Sequence, residues 1–224
     1  MDTTLLLASA SPRRRRLLCL LGLEYATTSV EVDETIPAKQ VEPHRFAESL
    51  AVEKALAAIR LASVQAGRTG AHARPLVIGA DTVVVLGDRV LGKPADREDA
   101  RRMLQELSGR THTVITALAL ATGPADVTAF SVSTEVMMER LDDATIDEWL
   151  ASDEALGCAG AYNIERHLAS VSEDECHQNV AGLPACHLYR ALKERLGSDA
   201  GLTPPVAECD RMLGRRCRLG PALL

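Results

Sequence analysis

Apolar positions along this chain change their spacing repeatedly, and the changes mark out strands alternating with helices. Residues 4–8 are a short apolar run that reads as a buried strand. Ser11 and Pro12 then supply an N-cap and a first-turn proline for a helix over 13–21, stopped by Gly22. A second strand is predicted over 25–32. From 43 to about 65 the chain is alanine-rich, with larger apolar residues at Phe46, Leu50, Leu56 and Ile59, which predicts a long helix ended by Gly67. Residues 76–79 read as a buried strand, and 83–91 as a hairpin folded at Gly87-Asp88. Asp96 caps a helix to Leu107. Two long alternating strands, 111–121 and 127–140, meet at a Gly123-Pro124 turn, and helices over 142–152 and 182–196 enclose a loop-rich segment. This order predicts an α/β fold with a mixed sheet flanked by helices around a cleft, not a purely parallel doubly wound sheet.

The pattern breaks after Gly197. Residues 198–205 are linker-like, and 211–218 contain four arginines and a cysteine. In a chain of 224 residues this suggests one domain over 1–197 with an appendage over 198–224. The net charge of −6 argues against a surface built throughout for nucleic acid, so any phosphate binding should be local. No run of about 18 apolar residues predicts a membrane span. The Leu5-Leu6-Leu7-Ala8-Ser9-Ala10 stretch is too short for a signal peptide core and follows Asp2, so cytoplasmic residence is expected. The six cysteines form no Cys-x-x-Cys pair and are expected to be reduced thiols, with Cys19 on an apolar helix face in the core.

Candidate chemistry gathers at element ends. Ser9-Ala-Ser-Pro-Arg-Arg-Arg-Arg16 places hydroxyls and guanidiniums at a strand-to-helix junction, where free backbone N–H groups suit an anion. Four consecutive arginines sweep around a helix, so two at most are expected in a site. Gly79-Ala-Asp81-Thr82 puts a carboxylate at the predicted carboxyl end of a buried strand, placed to bind Mg²⁺ or deprotonate water. Lys93 follows the hairpin in a chain with only four lysines against 21 arginines. Lys54, beside Glu53, reads as a surface residue on its own. Asp33 and Glu34 follow the second strand, as acids facing bases across a metal–triphosphate site would. Small residues in Gly157-Cys-Ala-Gly-Ala-Tyr-Asn-Ile-Glu165 allow close backbone approach to a flat ligand.

In order along residues 3–197, Ser9-Ala-Ser-Pro-Arg-Arg, Asp33-Glu34-Thr, Glu53-Lys54-Ala, Gly79-Ala-Asp81-Thr82, Gly92-Lys93-Pro, Leu107-Ser-Gly-Arg-Thr-His, Ala159-Gly-Ala-Tyr and Val180-Ala-Gly-Leu-Pro closely resemble the Maf family of nucleoside triphosphate pyrophosphatases. The resemblance implies a fold related to the inosine triphosphate pyrophosphatases. It also implies hydrolysis of an NTP to NMP and pyrophosphate with a divalent cation (Mg²⁺ or Mn²⁺), a house-cleaning role and a homodimer. By the same resemblance Asp81 matches the proton acceptor, Ser9, Arg14, Lys54 and Lys93 the phosphate surround, and Glu34 a cleft carboxylate; the charge of a metal-bound triphosphate leads us to expect the cation on Asp81 and Glu34. Arg13, Thr82 and Glu165 match positions that separate base preferences. Arg13 and Thr82 are similar to the dTTP/UTP type, whereas Glu165 and the following Arg166-His-Leu depart from it, Glu165 towards the 7-methyl-GTP type. A different class, a regulatory phosphoanion- or RNA-binding protein using the arginine runs, is disfavoured by the net charge and the scarcity of aromatic stacking groups.

The family pattern ends near Leu196. Cys176, Cys186, Cys209 and Cys217 lie around and beyond that point, and as thiolates they suit zinc or an iron–sulfur cluster that staples the tail to the body.

Overall fold

A computed structural model describes residues 4–36, 41–69, 75–197 and 199–224, with backbone alone at 66–69. Asp2, Ser198 and Gly67 from the sequence reading lie outside the described residues or, for Gly67, outside the described side chains. In chain order the elements are β1 (Leu5–Ala8), α1 (Pro12–Leu18), β2 (Tyr25–Thr28), α2 (Pro43–Thr69), β3 (Leu76–Leu86), β4 (Arg89–Leu91), α3 (Arg97–Leu107), β5 (Thr111–Gly123) and β6 (Asp126–Met138). They continue with α4 (Asp143–Leu150), β7 (Ala169–Val171), α5 (His177–Val180), α6 (Ala185–Leu196), α7 (Val206–Leu213) and α8 (Leu219–Leu223). The strands form one mixed sheet in the order β2-β1-β3-β5-β6-β7, with β4 paired to β3. β1 runs parallel to both β2 and β3, and every other pairing is antiparallel.

Local chemistry explains the element ends. Ser11 caps α1 with its hydroxyl accepting from the Arg14 amide, and Pro12 occupies the first turn, where no amide hydrogen is needed. The helix tightens into a short 3₁₀ turn over Cys19–Leu21 and stops at Gly22, whose φ of +71° lies in the left-handed region. That turn rotates Cys19 outward. It is exposed, with its sulfur 3.2 Å from the Tyr25 hydroxyl, so the expectation of a core thiol fails. Asp96 and Asp142 cap α3 and α4 through the Asp99 and Thr145 amides.

Two cores sandwich the sheet. On one face Leu7, Leu17, Leu18, Ile78, Leu104, Leu118 and Leu188 pack beneath α1, α3 and α6. On the other, α2 lies on the sheet through Ala47, Ala51, Ala55 and Ala58, all fully buried, against Val77, Val83, Ala117 and Ala119. The inward stripe of α2 is therefore mostly small, and Phe46, Leu56 and Ile59, which the pattern picked out, sit half-buried at its flanks. The reason is Gly79. A Cβ built there would stand 2.0 Å from the Ala51 carbonyl oxygen and 2.9 Å from the Ala55 nitrogen. Only glycine lets helix and strand backbones approach this closely.

The sequence stopped one strand at 79 and began a hairpin at 83, whereas β3 runs unbroken through both and carries Asp81 in its middle. Gly79 and Asp81 are readable as strand because β5 pairs with β3 from Val77 to Val85. The short strand β7, the helix α5 and the two tail helices were not foreseen, since each spans too few residues to show a period. The tail returns to the body: the Thr203 amide donates to the Leu21 carbonyl, and Arg215 donates to the Val171 carbonyl. Among the described residues no helix is long and apolar enough to cross a membrane.

Gly79→Ala is expected to destabilise the fold by at least the ~3 kcal/mol that marks the upper range of overpacking, because a backbone carbonyl cannot swing aside. Urea unfolding of the variant measures it; a loss under about 1 kcal/mol would show that α2 can lift without cost.

Candidate active site

The site is made by a break in strand pairing. β1 ends at Ala8 opposite Gly79, and β4 takes up β3 only from Val84. Among the described residues, nothing pairs with that edge of β3 over 80–83. Asp81 and Thr82 occupy the break and, being adjacent in a strand, point to opposite faces of the sheet. A cleft of about 970 Å³ opens there and reaches both faces, lined by residues that include Ser9, Arg13, Arg14, Glu34, Lys54, Asp81, Thr82, Lys93 and Glu165. All nine sequence-predicted site residues therefore share one cavity.

Asp81 faces α2. Because Gly79 brings that helix down, the Lys54 ammonium reaches the Asp81 carboxylate at 2.5 Å, with only 6% and 5% of the two residues exposed. Lys54 is thus an interior cation, not the surface residue its own sequence context suggested. The same ammonium lies 2.6 Å from one Glu34 oxygen, while Lys93 holds the other at 2.7 Å. The result is a chain of alternating charge, Asp81–Lys54–Glu34–Lys93, running from the interior to a half-exposed lysine. Burial pushes the Glu34 carboxyl upward, but hydrogen bonds from Lys54 and Lys93 outweigh it and bring the value down to about 2. Glu34 stays ionised.

Thr82 faces α1. Arg14 donates from Nη2 to the Thr82 hydroxyl at 2.9 Å and from Nε to the Gly182 carbonyl at 2.9 Å. Thr82 meets the Thr116 hydroxyl at 2.9 Å, and Thr116 donates to the Asn179 carbonyl at 2.8 Å. The directions are therefore fixed: Arg14 gives to Thr82, Thr82 to Thr116, and Thr116 to the backbone. Asn179, fully buried, donates in turn to the Val114 carbonyl and the Thr134 hydroxyl. This network aims the guanidinium and leaves Nη1 3.4 Å from the Ser9 hydroxyl. Burial lowers the Arg14 value from the usual arginine range, and the charge of Asp81 opposes that shift.

The remaining wall comes from 153–166. Arg13 donates to the Cys158 sulfur at 3.3 Å and lies 3.9 Å from Glu154, and Arg16 pairs with Glu165 at the rim. Three of the four arginines thus border the cleft, one more than the helical sweep suggested. Arg16 joins because its long side chain reaches back to Glu165, while Arg15 turns away to the Ala10 carbonyl. Gly160, expected to admit a flat ligand, instead packs on β3: a Cβ there would stand 2.9 Å from Val84. Behind it His112 meets the Tyr162 hydroxyl at 2.8 Å, and burial lowers the histidine to about 4, keeping it neutral. Glu154, Thr116, Asn179 and Gly182 escaped the sequence reading. Only the Val180-Ala-Gly-Leu-Pro motif hinted at Gly182.

Asp81 and Glu34 offer two carboxylates whose nearest oxygens are bridged by one ammonium, hence within about 5.1 Å of each other. Such a hard-oxygen pair fits Mg²⁺ or Mn²⁺, which take one or two carboxylates and complete their shell with phosphate oxygens and water. Among the described residues, no three His, Cys, Asp or Glu side chains are arranged to hold a metal by themselves. That finding also counts against the zinc or iron–sulfur expectation for Cys176, Cys186, Cys209 and Cys217, although all four line one small cavity.

The low Glu34 value has a pH consequence. Above about pH 4.5 both states carry the charge and the pairing is fully effective. As pH falls towards about 2, the unfolded chain takes up a proton that the folded chain refuses, and the stabilisation is lost. The fall in urea midpoint between about pH 5 and about pH 3 is expected to be shallower in Glu34→Gln than in the natural chain. Equal slopes would mean that the ion pairs do not hold Glu34 ionised.

Similarity to known proteins identifies the family of the chain. The model of the family described as Maf-like protein matches residues 4–195. Curated relatives named dTTP/UTP pyrophosphatase include one from Pelotomaculum thermopropionicum, 41% identical over 193 residues (85% of this chain, 95% of the relative). Another, from Xanthomonas axonopodis pv. citri, is 42% identical over 195 residues (84% and 96%). Among solved structures, the Staphylococcus aureus Ham1 protein aligns over 61% of this chain and 72% of its own, with a TM-score of 0.39 and 14% identity. With a family match spanning all but the tail, and relatives this similar across nearly their whole length, the chain belongs to the Maf-like protein family.

Proposed function

We propose that this chain is a nucleoside triphosphate pyrophosphatase that hydrolyses an NTP to NMP and pyrophosphate. The observation that carries the proposal is Asp81. Its carboxylate is held by buried Lys54 at the break in β3, in a cleft that also presents Arg14, Lys93 and Ser9. In this reading Asp81 accepts the proton of the water that attacks the α-phosphorus. Arg14 and Ser9 hold phosphate oxygens on the α1 side, and Lys93 and Lys54 neutralise the charge that grows on the departing pyrophosphate. Lys54 has the further task of aiming Asp81 and Glu34. A divalent cation held by Asp81 and Glu34 would polarise the phosphates and offset their charge.

The base preference proposed is dTTP and UTP or modified pyrimidine nucleotides, after the names of the relatives and the presence of Arg13 and Thr82. Glu165 departs from that type, but Arg16 engages it, so its charge meets a cation and not the ligand alone. The same proposal includes a house-cleaning role, residence in the cytoplasm, a homodimer, and residues 1–197 as the catalytic domain with 198–224 appended. The RNA-binding alternative loses support from the ion pairs: Arg13, Arg16 and Arg166 are each matched by Glu154 or Glu165.

Pyrophosphate release from a panel of nucleotides with Mg²⁺, set beside salt-sensitive RNA retention, tests the class and the base together. Release fastest from dTTP and UTP is expected. Preference for 7-methyl-GTP would overturn the base assignment, and RNA retention without turnover would overturn the class. Asp81→Asn is expected to lower kcat by a factor of about 10²–10⁴, the range for losing a positioned base. Lys93→Ala should lower kcat and kcat/KM together, as loss of an interaction made in the transition state does; a change confined to KM would remove that role.

A further inference from the structure

Four thiols from four separate segments line one cavity of about 20 Å³ at the junction of body and tail. Cys176 precedes α5, Cys186 opens α6, Cys209 lies in α7 and Cys217 precedes α8. Beside apolar groups such as Val206, Leu213 and Leu219, its lining includes the polar His177, Gln178 and Arg215. Packing there is close: a Cβ on Gly220 would stand 2.9 Å from Val206, 3.4 Å from the Cys186 sulfur and 3.6 Å from the Cys217 sulfur. Cys217 is already engaged, its sulfur accepting from the Gly220 amide at 3.2 Å. Cys186 and Cys209, both buried, bring one sulfur from the body and one from the tail to this cavity and act directly on each other.

We propose that Cys186 and Cys209 form a dithiol that closes to a disulfide under a small peroxide, joining the C-terminal helices covalently to α6. The two sulfurs play different parts. Each lies beside the other, and Gln178 adds a polar group next to Cys209. The Cys186 thiol is pushed up by its contact with Cys209 and by burial, while the Cys209 thiol is lowered by the same contact despite burial. In the proposed step Cys209 is the attacking thiolate. It displaces hydroxide from hydrogen peroxide: an S–O bond forms, the O–O bond breaks, and the hydroxide takes a proton to become water. The Cys186 sulfur then attacks the sulfenic sulfur. An S–S bond forms, the S–O bond breaks, and the second hydroxide leaves as water with the Cys186 proton. Two thiols lose two electrons and one peroxide becomes two waters. A cavity of this size admits a water-sized molecule next to the sulfurs.

The tie bears on the cleft through α5. Cys176, His177 and Gln178 face the thiol cavity, and Asn179 and Gly182, a few residues on, complete the network that aims Arg14. Fixing the tail therefore holds the segment behind the phosphate site, whatever reaction that site performs.

The test uses the full chain, reduced, exposed to hydrogen peroxide, alkylated and digested for mass mapping. Peptides joined between Cys186 and Cys209 are expected, separable by dithiothreitol, together with a reversible rise in the thermal unfolding midpoint. Cys209→Ser should abolish the link, whereas Cys19→Ser should leave it intact. Since a serine in α6 or α7 could disturb packing, the mapping of the unaltered chain decides. Linkage between other cysteines, or six thiols alkylated as freely after peroxide as before, overturns the proposal. So does stoichiometric zinc or iron that protects the thiols until it is chelated.

Discussion

The ammonium of Lys54 sits between two carboxylates with almost no access to water, and the geometry of the cleft follows from satisfying it. An interior cation without partners would cost several kcal/mol, so the fold must hold Asp81 and Glu34 within reach for the helix carrying Lys54 to pack at all. The converse holds too, since Asp81, equally buried, would be an orphaned anion without Lys54. Each charge thus enforces the position of the other. What results is a carboxylate held in place by a buried ammonium at the wall of the cleft, as a group that takes a proton from water must be.

That mutual constraint depends on a dimension of the packing that side chains alone do not set. Helix α2 comes close enough for Lys54 to reach because Gly79 has no side chain and the facing helix surface is alanine. One strand position later in the same face stands Asp81. On the opposite face Thr82 relays a directed series of hydrogen bonds from Arg14 to the backbone of Asn179. The basic and acidic halves of the site therefore approach from opposite sides of the sheet. They meet only because β1 ends before, and β4 begins after, these two residues. A strand paired along its full length would have kept them apart.

The tail extends the same logic of support from behind. Among the described residues it adds nothing that lines the cleft, yet it packs on the stretch just before the segment whose carbonyls orient Arg14, through Arg215 on Val171 and the Arg218 amide on Glu173. A thiol contact across that junction is then a mechanical matter for the site, even at this distance from the phosphates.

Much of this was legible along the chain. The strand-to-helix junction at Ser9 to Pro12, the cap at Asp96 and the long strands β5 and β6 follow from spacing and cap chemistry, which are local. The order of the short motifs also carried the family. Other features depend on contacts between residues far apart in the chain. The burial of Lys54 needs Gly79 and Glu34, the continuity of β3 through Asp81 needs β5 alongside, and the outward turn of Cys19 needs a helix to tighten in its last turn. The convergence of Cys186 and Cys209 needs the tail to fold back over 22 intervening residues. Periodicity reports which face of an element is apolar; it carries no record of which partner covers that face, and in this protein the partners decide which charges are buried.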